Sequence, residues 1–143
     1  MFSGEYNYKL DEKGRTPLPP RFRAALKDGV VLTQGVEKCI TAYPMAEWQR
    51  IASSLPAGSL SRAKIRRLKR AMFANAYIQP IDSQGRISLP ASLRDYAEIG
   101  DDVVVIGANN CLELWNLEEW AAEKASAQEQ VGQSIESLEG QGT

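Results

Sequence analysis

Apolar residues in this chain change spacing at regular points, and the same order of changes occurs twice. Residues 6–10 form an extended run that enters Asp11-Glu12-Lys13-Gly14, a turn signal in which glycine supplies the positive φ. A short strand follows, and Pro19-Pro20 then fixes the start of a predicted helix over residues 19–26. Proline suits the first helical turn because its missing N–H has no intrahelical partner there. Gly29 stands where that helix should stop. Two β runs come next, 30–33 and 39–42, and a helix opens near Glu47-Trp48. The second pass reads alike: strand 77–81, turn Asp82-Ser83-Gln84-Gly85, helix 90–97, Gly100, β runs 103–106 and 111–115, and a helix from Glu119-Trp120.

The recurrence extends to identities. A shift of 71 positions lays Leu10-Asp11-Glu12-Lys13-Gly14-Arg15-Thr16-Pro17-Leu18-Pro19 over Ile81-Asp82-Ser83-Gln84-Gly85-Arg86-Ile87-Ser88-Leu89-Pro90, and Arg23 over Arg94. One insertion later, at 72, Val31 meets Val103, Gly35 meets Gly107 and Cys39 meets Cys111. Such order over such a distance marks a tandem duplication. One unit alone leaves sheet edges and an apolar face uncovered, so two copies should share a core. The expected fold is α+β: two tandem repeats forming one intrachain pseudo-twofold β-barrel with flanking helices. The expected divisions are a first module at 1–48, a linker and basic helix at 49–76, a second module at 77–120, and a C-terminal extension at 121–143.

Segments outside the repeat read differently. Residues 53–59 have linker composition. Residues 61–72 predict a helix with a buried stripe of Ile65, Leu68, Met72 and Ala76. Its other faces carry Arg62, Lys64, Arg66, Arg67, Lys69 and Arg70. Beyond Trp120, helix is expected to about Gln130 and then a frayed polar tail.

Charge changes this picture. The net charge is −1, yet residues 1–78 hold 14 of 17 Lys and Arg but 6 of 18 Asp and Glu, a balance of +8. Residues 79–143 hold 3 and 12, a balance of −9. One side suits a polyanion, and the halves also suit head-to-tail assembly. There is no histidine, which removes the commonest general base and zinc ligand. Cys39 and Cys111 are too few for a metal site or disulfide framework and read as small core residues. No signal-like or membrane-length apolar run occurs. These features predict a cytoplasmic, non-enzymatic protein with no cofactor, metal, small-molecule substrate or membrane partner.

The turns carry the candidate chemistry. An Asp four residues before an Arg, across a glycine turn, lies near the turn's free N–H groups or the guanidinium. Arg15 and Arg86 then present donors that match phosphate oxygens or the guanine edge. Lys13 projects from the first turn, and Arg21 and Arg23 follow it with phosphate contacts; Arg94 matches Arg23. Asp11, Gly14, Asp82 and Gly85 support the motif. Gln84 and Ser92 replace the residues matching Lys13 and Arg21, so the first half should dominate. The plainer reading of one such motif is a surface ion pair worth about 0–1 kcal/mol; two copies beside a basic half favour nucleic acid. The basic helix has two open readings, DNA phosphates or salt bridges to the acidic half. Arg62, Arg66, Arg67 and Arg70 are accordingly candidate assembly residues.

Met1-Phe2-Ser3-Gly4-Glu5-Tyr6, Leu10-Asp11-Glu12-Lys13-Gly14-Arg15 and Leu18-Pro19 resemble the opening of the MraZ family of bacterial transcriptional regulators. Asp82-Ser83-Gln84-Gly85-Arg86 with Leu89-Pro90 is similar to that family's second Asp-x-x-x-Arg motif. The resemblance covers residues 1–120 approximately. It implies AbrB-like modules (the SpoVT-AbrB fold), a ring-shaped homo-oligomer, and double-stranded DNA with promoter repeats upstream of a division and cell-wall gene cluster, hence nucleoid association. Two rivals stand beside it. A duplicated Asp resembles an aspartic-protease dyad, but neither copy is Asp-Thr/Ser-Gly and each faces an Arg that opposes proton sharing. An antitoxin-like protein-docking module with secondary DNA binding is the stronger alternative.

Overall fold

The computed structural model describes residues 1–55 and 62–141. The strands are β1 (Glu5–Lys9), β2 (Arg15–Pro17), β3 (Val30–Gln34), β4 (Ile40–Pro44), β5 (Tyr77–Gln79), β6 (Arg86–Ser88), β7 (Asp102–Gly107) and β8 (Leu112–Trp115). The helices are α1 (Met45–Ser53), α2 (Arg62–Phe73), α3 (Ala91–Ala97) and α4 (Leu117–Gln141). Part of the expected linker, 56–61, lies outside the described residues.

Pairing follows from the duplication, because each unit lends a strand to the other. β1 pairs with β7 and β5 with β3, so the antiparallel order is β1-β7-β8-β4-β3-β5. β2 and β6 form a separate two-stranded ribbon. A pseudo-twofold axis passes through two self-equivalent pairs, Thr16 opposite Ile87 in the ribbon and Thr41 opposite Glu113 in the sheet. The expected barrel does not close: β1 and β5 are edge strands, and neither is hydrogen-bonded into the ribbon.

Alternation sorts the side chains into two layers. Leu32, Ile40, Ala42, Val103, Val105, Leu112 and Leu114 face a core shared by both units, which Leu18, Phe22, Leu26, Ile87, Leu89 and Leu93 close from the ribbon side. Val104, Ile106 and Trp115 face the other way with Cys39, under Trp120 of α4. Repeat-related aromatic pairs seat the outer helices: Trp48 lies 5.8 Å from Tyr43, and Trp120 lies 5.6 Å from Trp115. Glu5 of the first unit accepts from Trp120 Nε1 at 2.9 Å and pairs with Lys124 at 3.1 Å, tying α4 to β1. Both cysteines are buried and free, and burial pushes their thiols up to about 12 for Cys39 and about 11 for Cys111.

Several local expectations need correction. Residues 19–26 form two 3-10 turns, Pro20–Phe22 and Ala24–Leu26, rather than the α-helix seen at α3. Gly29 does adopt a positive φ of 112°, but Gly100 does not; Glu98 ends α3 in the left-handed region, held by Lys38 on its carboxylate. Val31 lies opposite Tyr43 as Val104, not Val103, lies opposite Trp115. The equivalence in this strand is therefore offset by 73, and the β3–β4 connection is one residue longer than β7–β8. The α2 stripe is half-buried, and Ala76 lies past the helix end. α4 runs on to Gln141, because its Ala-, Glu- and Gln-rich sequence favours helix without packing. Among the described residues no helix is long and apolar enough to cross a membrane.

Candidate nucleic-acid interface

Each Asp-x-x-Gly-Arg segment forms a turn closed by its own aspartate. Asp11 Oδ1 accepts the N–H groups of Lys13 at 2.9 Å and Arg15 at 3.0 Å, while Oδ2 accepts Arg15 Nε at 2.7 Å. Asp82 repeats this with Gln84 N, Arg86 N and Arg86 Nε, each at 2.9 Å. Sequence left backbone and guanidinium as alternative partners; each carboxylate takes both. Gly14 and Gly85 hold φ of 74° and 78°, values that side-chain-bearing residues rarely adopt. The N–H of Arg15 lowers the Asp11 pKa most, and that of Arg86 lowers Asp82 most. Both carboxylates therefore stay ionised, contrary to what a proton-sharing dyad requires.

The ribbon sets how the turns relate. Thr16 and Ile87 point into the core, so Arg15 and Arg86 share the outer face. They are diagonal neighbours, since Arg15 pairs with Ser88 and Pro17 with Arg86. Such neighbours stand roughly 7–8 Å apart between backbones. Arg86 Nη1 also approaches Asp11 Oδ2 at 3.6 Å, so Arg86 lies between two carboxylates. An open depression lined by Leu10, Asp11, Glu12, Lys13, Arg15 and Arg86 marks this face. Among the described residues there is no group of three or more His, Cys, Asp or Glu able to hold a metal ion.

The other predicted residues separate. Lys13 and Arg21 are exposed; Arg21 Nη1 donates to Tyr6 Oη at 3.4 Å, with its Cζ 5.4 Å from the Phe22 ring centre. Arg23 and Arg94 are half-buried and turned to backbone carbonyls. Arg23 donates to Leu18 O at 3.2 and 3.1 Å, and Arg94 to Leu89 O at 3.0 Å. Arg62, Arg66, Arg67 and Arg70 lie on α2, over the opposite face of the sheet from the ribbon. There Phe73 meets Trp48 at 5.5 Å, and these four exposed arginines have no carboxylate within 4 Å among the described residues. The inward role of Arg23 and Arg94 is absent from the sequence reading; their repetition at the motif's own shift of 71 was the available signal.

A duplicated unit with paired Asp-Arg turns on a shared two-stranded ribbon defines a class of duplicated α+β proteins. The family model described as "MraZ protein, putative antitoxin-like" matches twice, over residues 1–71 and 72–136, and the chain belongs to the MraZ family. A protein of Dehalococcoides mccartyi named transcriptional regulator MraZ is 53% identical over 140 residues, covering 97% of this chain and 99% of that one. Proteins of the same name from a Roseiflexus species and Thermomicrobium roseum are 43% and 41% identical over 123 residues each. They cover 84% and 86% of this chain, and 84% and 87% of their own lengths.

Proposed function

We propose that this transcriptional regulator binds double-stranded DNA through the outer face of the β2–β6 ribbon, with Arg15 as the principal reader. The observation that carries this reading is the pair of arginines on one face of a two-stranded ribbon, each fixed by its own Asp through Nε. Fixing Nε leaves the terminal nitrogens to meet an anion or a guanine edge. A major groove admits a two-stranded ribbon. Lys13 and Arg21 add charge on the first unit's side, and the second carboxylate beside Arg86 reduces that arginine's freedom. The first half therefore contributes most. The AbrB-like kinship of each unit, promoter repeats as the target, and nucleoid association belong to this same reading.

Assembly belongs to it as well. A few cations on one turn bind too weakly to find a site among competing DNA, and several turns on one oligomer raise affinity through effective concentration. The α2 arginines lie away from the ribbon and lack carboxylate partners among the described residues, while α4 carries half of the second half's acid beside an exposed Val131, Ile135 and Leu138. This favours head-to-tail contact between copies, closing into a ring, over an intrachain salt-bridge set.

The test is a salt titration of binding to DNA upstream of the chain's own gene. Wild type should weaken linearly in log K against log salt. Arg15→Ala should lose about 1–3 kcal/mol per site in a sequence-dependent manner, and Arg86→Ala less. Wild-type affinity in Arg15→Ala overturns the assignment. Salt-insensitive binding to a protein partner with no DNA binding would favour the antitoxin-like docking module.

A further inference from the structure

Arg23 and Arg94 stand four residues beyond Pro19 and Pro90, and sequence alone makes them phosphate ligands. In the structure both guanidinium groups are engaged within the protein. The Arg94 guanidinium occupies the space in front of Gly14: a Cβ built on Gly14 would lie 3.0 Å from Arg94 Cζ and 3.3 Å from Nε. A Cβ on Gly85 would collide outright with the Arg23 guanidinium. Each arginine thus packs on the turn of the other unit. Each also closes a hydrogen-bonded loop around it. Arg23 donates to Leu18 O, and Leu18 N–H donates to Gly85 O at 3.0 Å. Arg94 donates to Leu89 O, and Leu89 N–H donates to Gly14 O at 3.0 Å.

From this crossed geometry we infer that Arg94 is the positioning residue for the turn carrying Arg15, and Arg23 for the turn carrying Arg86. The flat guanidinium fits such a seat, lying against a glycine that presents no Cβ while its edge serves a carbonyl. Lysine has the charge but neither the plane nor the Nε donor. The glycines are accordingly needed twice, for their positive φ and for the seat they leave open. The consequence is that neither turn is set by its own module alone, so the spacing of Arg15 from Arg86 is fixed by two reciprocal clamps. What the turns do rests on the DNA-binding reading; how they are held does not.

Hydrogen–deuterium exchange of the full chain tests the crossing without DNA. Peptides covering residues 11–15 and 82–86 report each turn, and strands β3 and β7 report the fold. Arg94→Ala should speed exchange in 11–15 by about tenfold or more, with 82–86 changed much less. Arg23→Ala should do the reverse, and Arg94→Lys and Arg23→Lys should resemble the alanine variants. Effects confined to the variant's own unit, equal effects on both turns, or rescue by lysine would overturn the crossing. Should an alanine variant also loosen β3 and β7, Arg94→Gln and Arg23→Gln, which keep an amide donor, give the same crossed comparison. In binding assays, Arg94→Lys should weaken DNA binding as Arg94→Ala does. A direct phosphate ligand would instead be rescued by lysine and would lower the salt slope by about one when removed. Crossed exchange without DNA binding would refute the function and leave the clamps standing.

Discussion

Alanine at Gly85 should cost more than alanine at Gly14, although the two turns share one sequence pattern. Both glycines hold positive φ, at 78° and 74°. Placing an L-residue there costs roughly 1–2 kcal/mol at either site. The surroundings then separate them. At Gly14 the new methyl meets Arg94 Cζ at 3.0 Å, which a shift of a few tenths of an ångström relieves. At Gly85 it occupies the guanidinium of Arg23, which must leave and give up its forked pair of N–H bonds to the single acceptor Leu18 O. A lost hydrogen bond adds about 0.5–1.5 kcal/mol. The expected totals are about 2–3 kcal/mol for Gly85→Ala and about 1–2 for Gly14→Ala. Urea unfolding at one protein concentration, followed by tryptophan fluorescence, resolves this as a midpoint difference of about 0.5 M for a slope near 2 kcal/mol/M. In an Arg23→Ala background the Gly85 penalty should fall to its backbone part, a coupling of about 1 kcal/mol. Equal losses at the two glycines, or additivity within about 0.3 kcal/mol in that cycle, would refute the seat beneath Gly85.

Acid should loosen the turns only at low pH. Asp11 and Asp82 have folded pKa values below the ordinary 3.8, so their contribution is fully present above that value and is lost as pH falls through the depressed one. Carboxyl-carbon NMR titration should place both midpoints below 3.8; midpoints at or above it would mean that the N–H donors do not hold the carboxylates. For assembly, light scattering at low salt should give a mass several times 15.8 kDa, and Arg66→Glu with Arg67→Glu should reduce it and weaken multi-repeat DNA binding more than single-repeat binding. A monomeric wild type would sink the head-to-tail reading.

The duplication was legible because it is written in identities, and it carries most of the fold with it. Strand positions followed from apolar runs, and the turn chemistry from Asp, Gly and Arg at fixed spacing. Other features were hidden for definable reasons. Glu98 ends α3 in a conformation that sequence assigns to glycine, because Lys38 and Asn116 from other elements engage it. The offset of 73 in β7 is invisible in the letters because Val103, Val104 and Val105 are identical, and only pairing distinguishes them. The extent of the helix beyond Gln130 was hidden because that stretch is exposed and offers no buried face to read; only propensity marks it.

Arg23 and Arg94 mark a different boundary of what a sequence can say. A positive charge beside a DNA-binding turn reads as a ligand whenever the chain is considered one unit at a time. The strand exchange changes the geometry: because β2 pairs with β6 antiparallel, residue 18 arrives beside Gly85 and residue 89 beside Gly14. The arginine that follows each of these residues therefore meets the partner turn rather than its own. Symmetry imposes this on both sides once it occurs on one, since every contact across a pseudo-twofold axis has its counterpart. A cation can thus be doubled by duplication for the sake of the loop it supports, while the arginine proposed as the reader sits on that loop. Here the distinction falls between Arg15, whose Nε is held by the aspartate of its own turn, and Arg94, whose Nε donates to the Leu89 carbonyl.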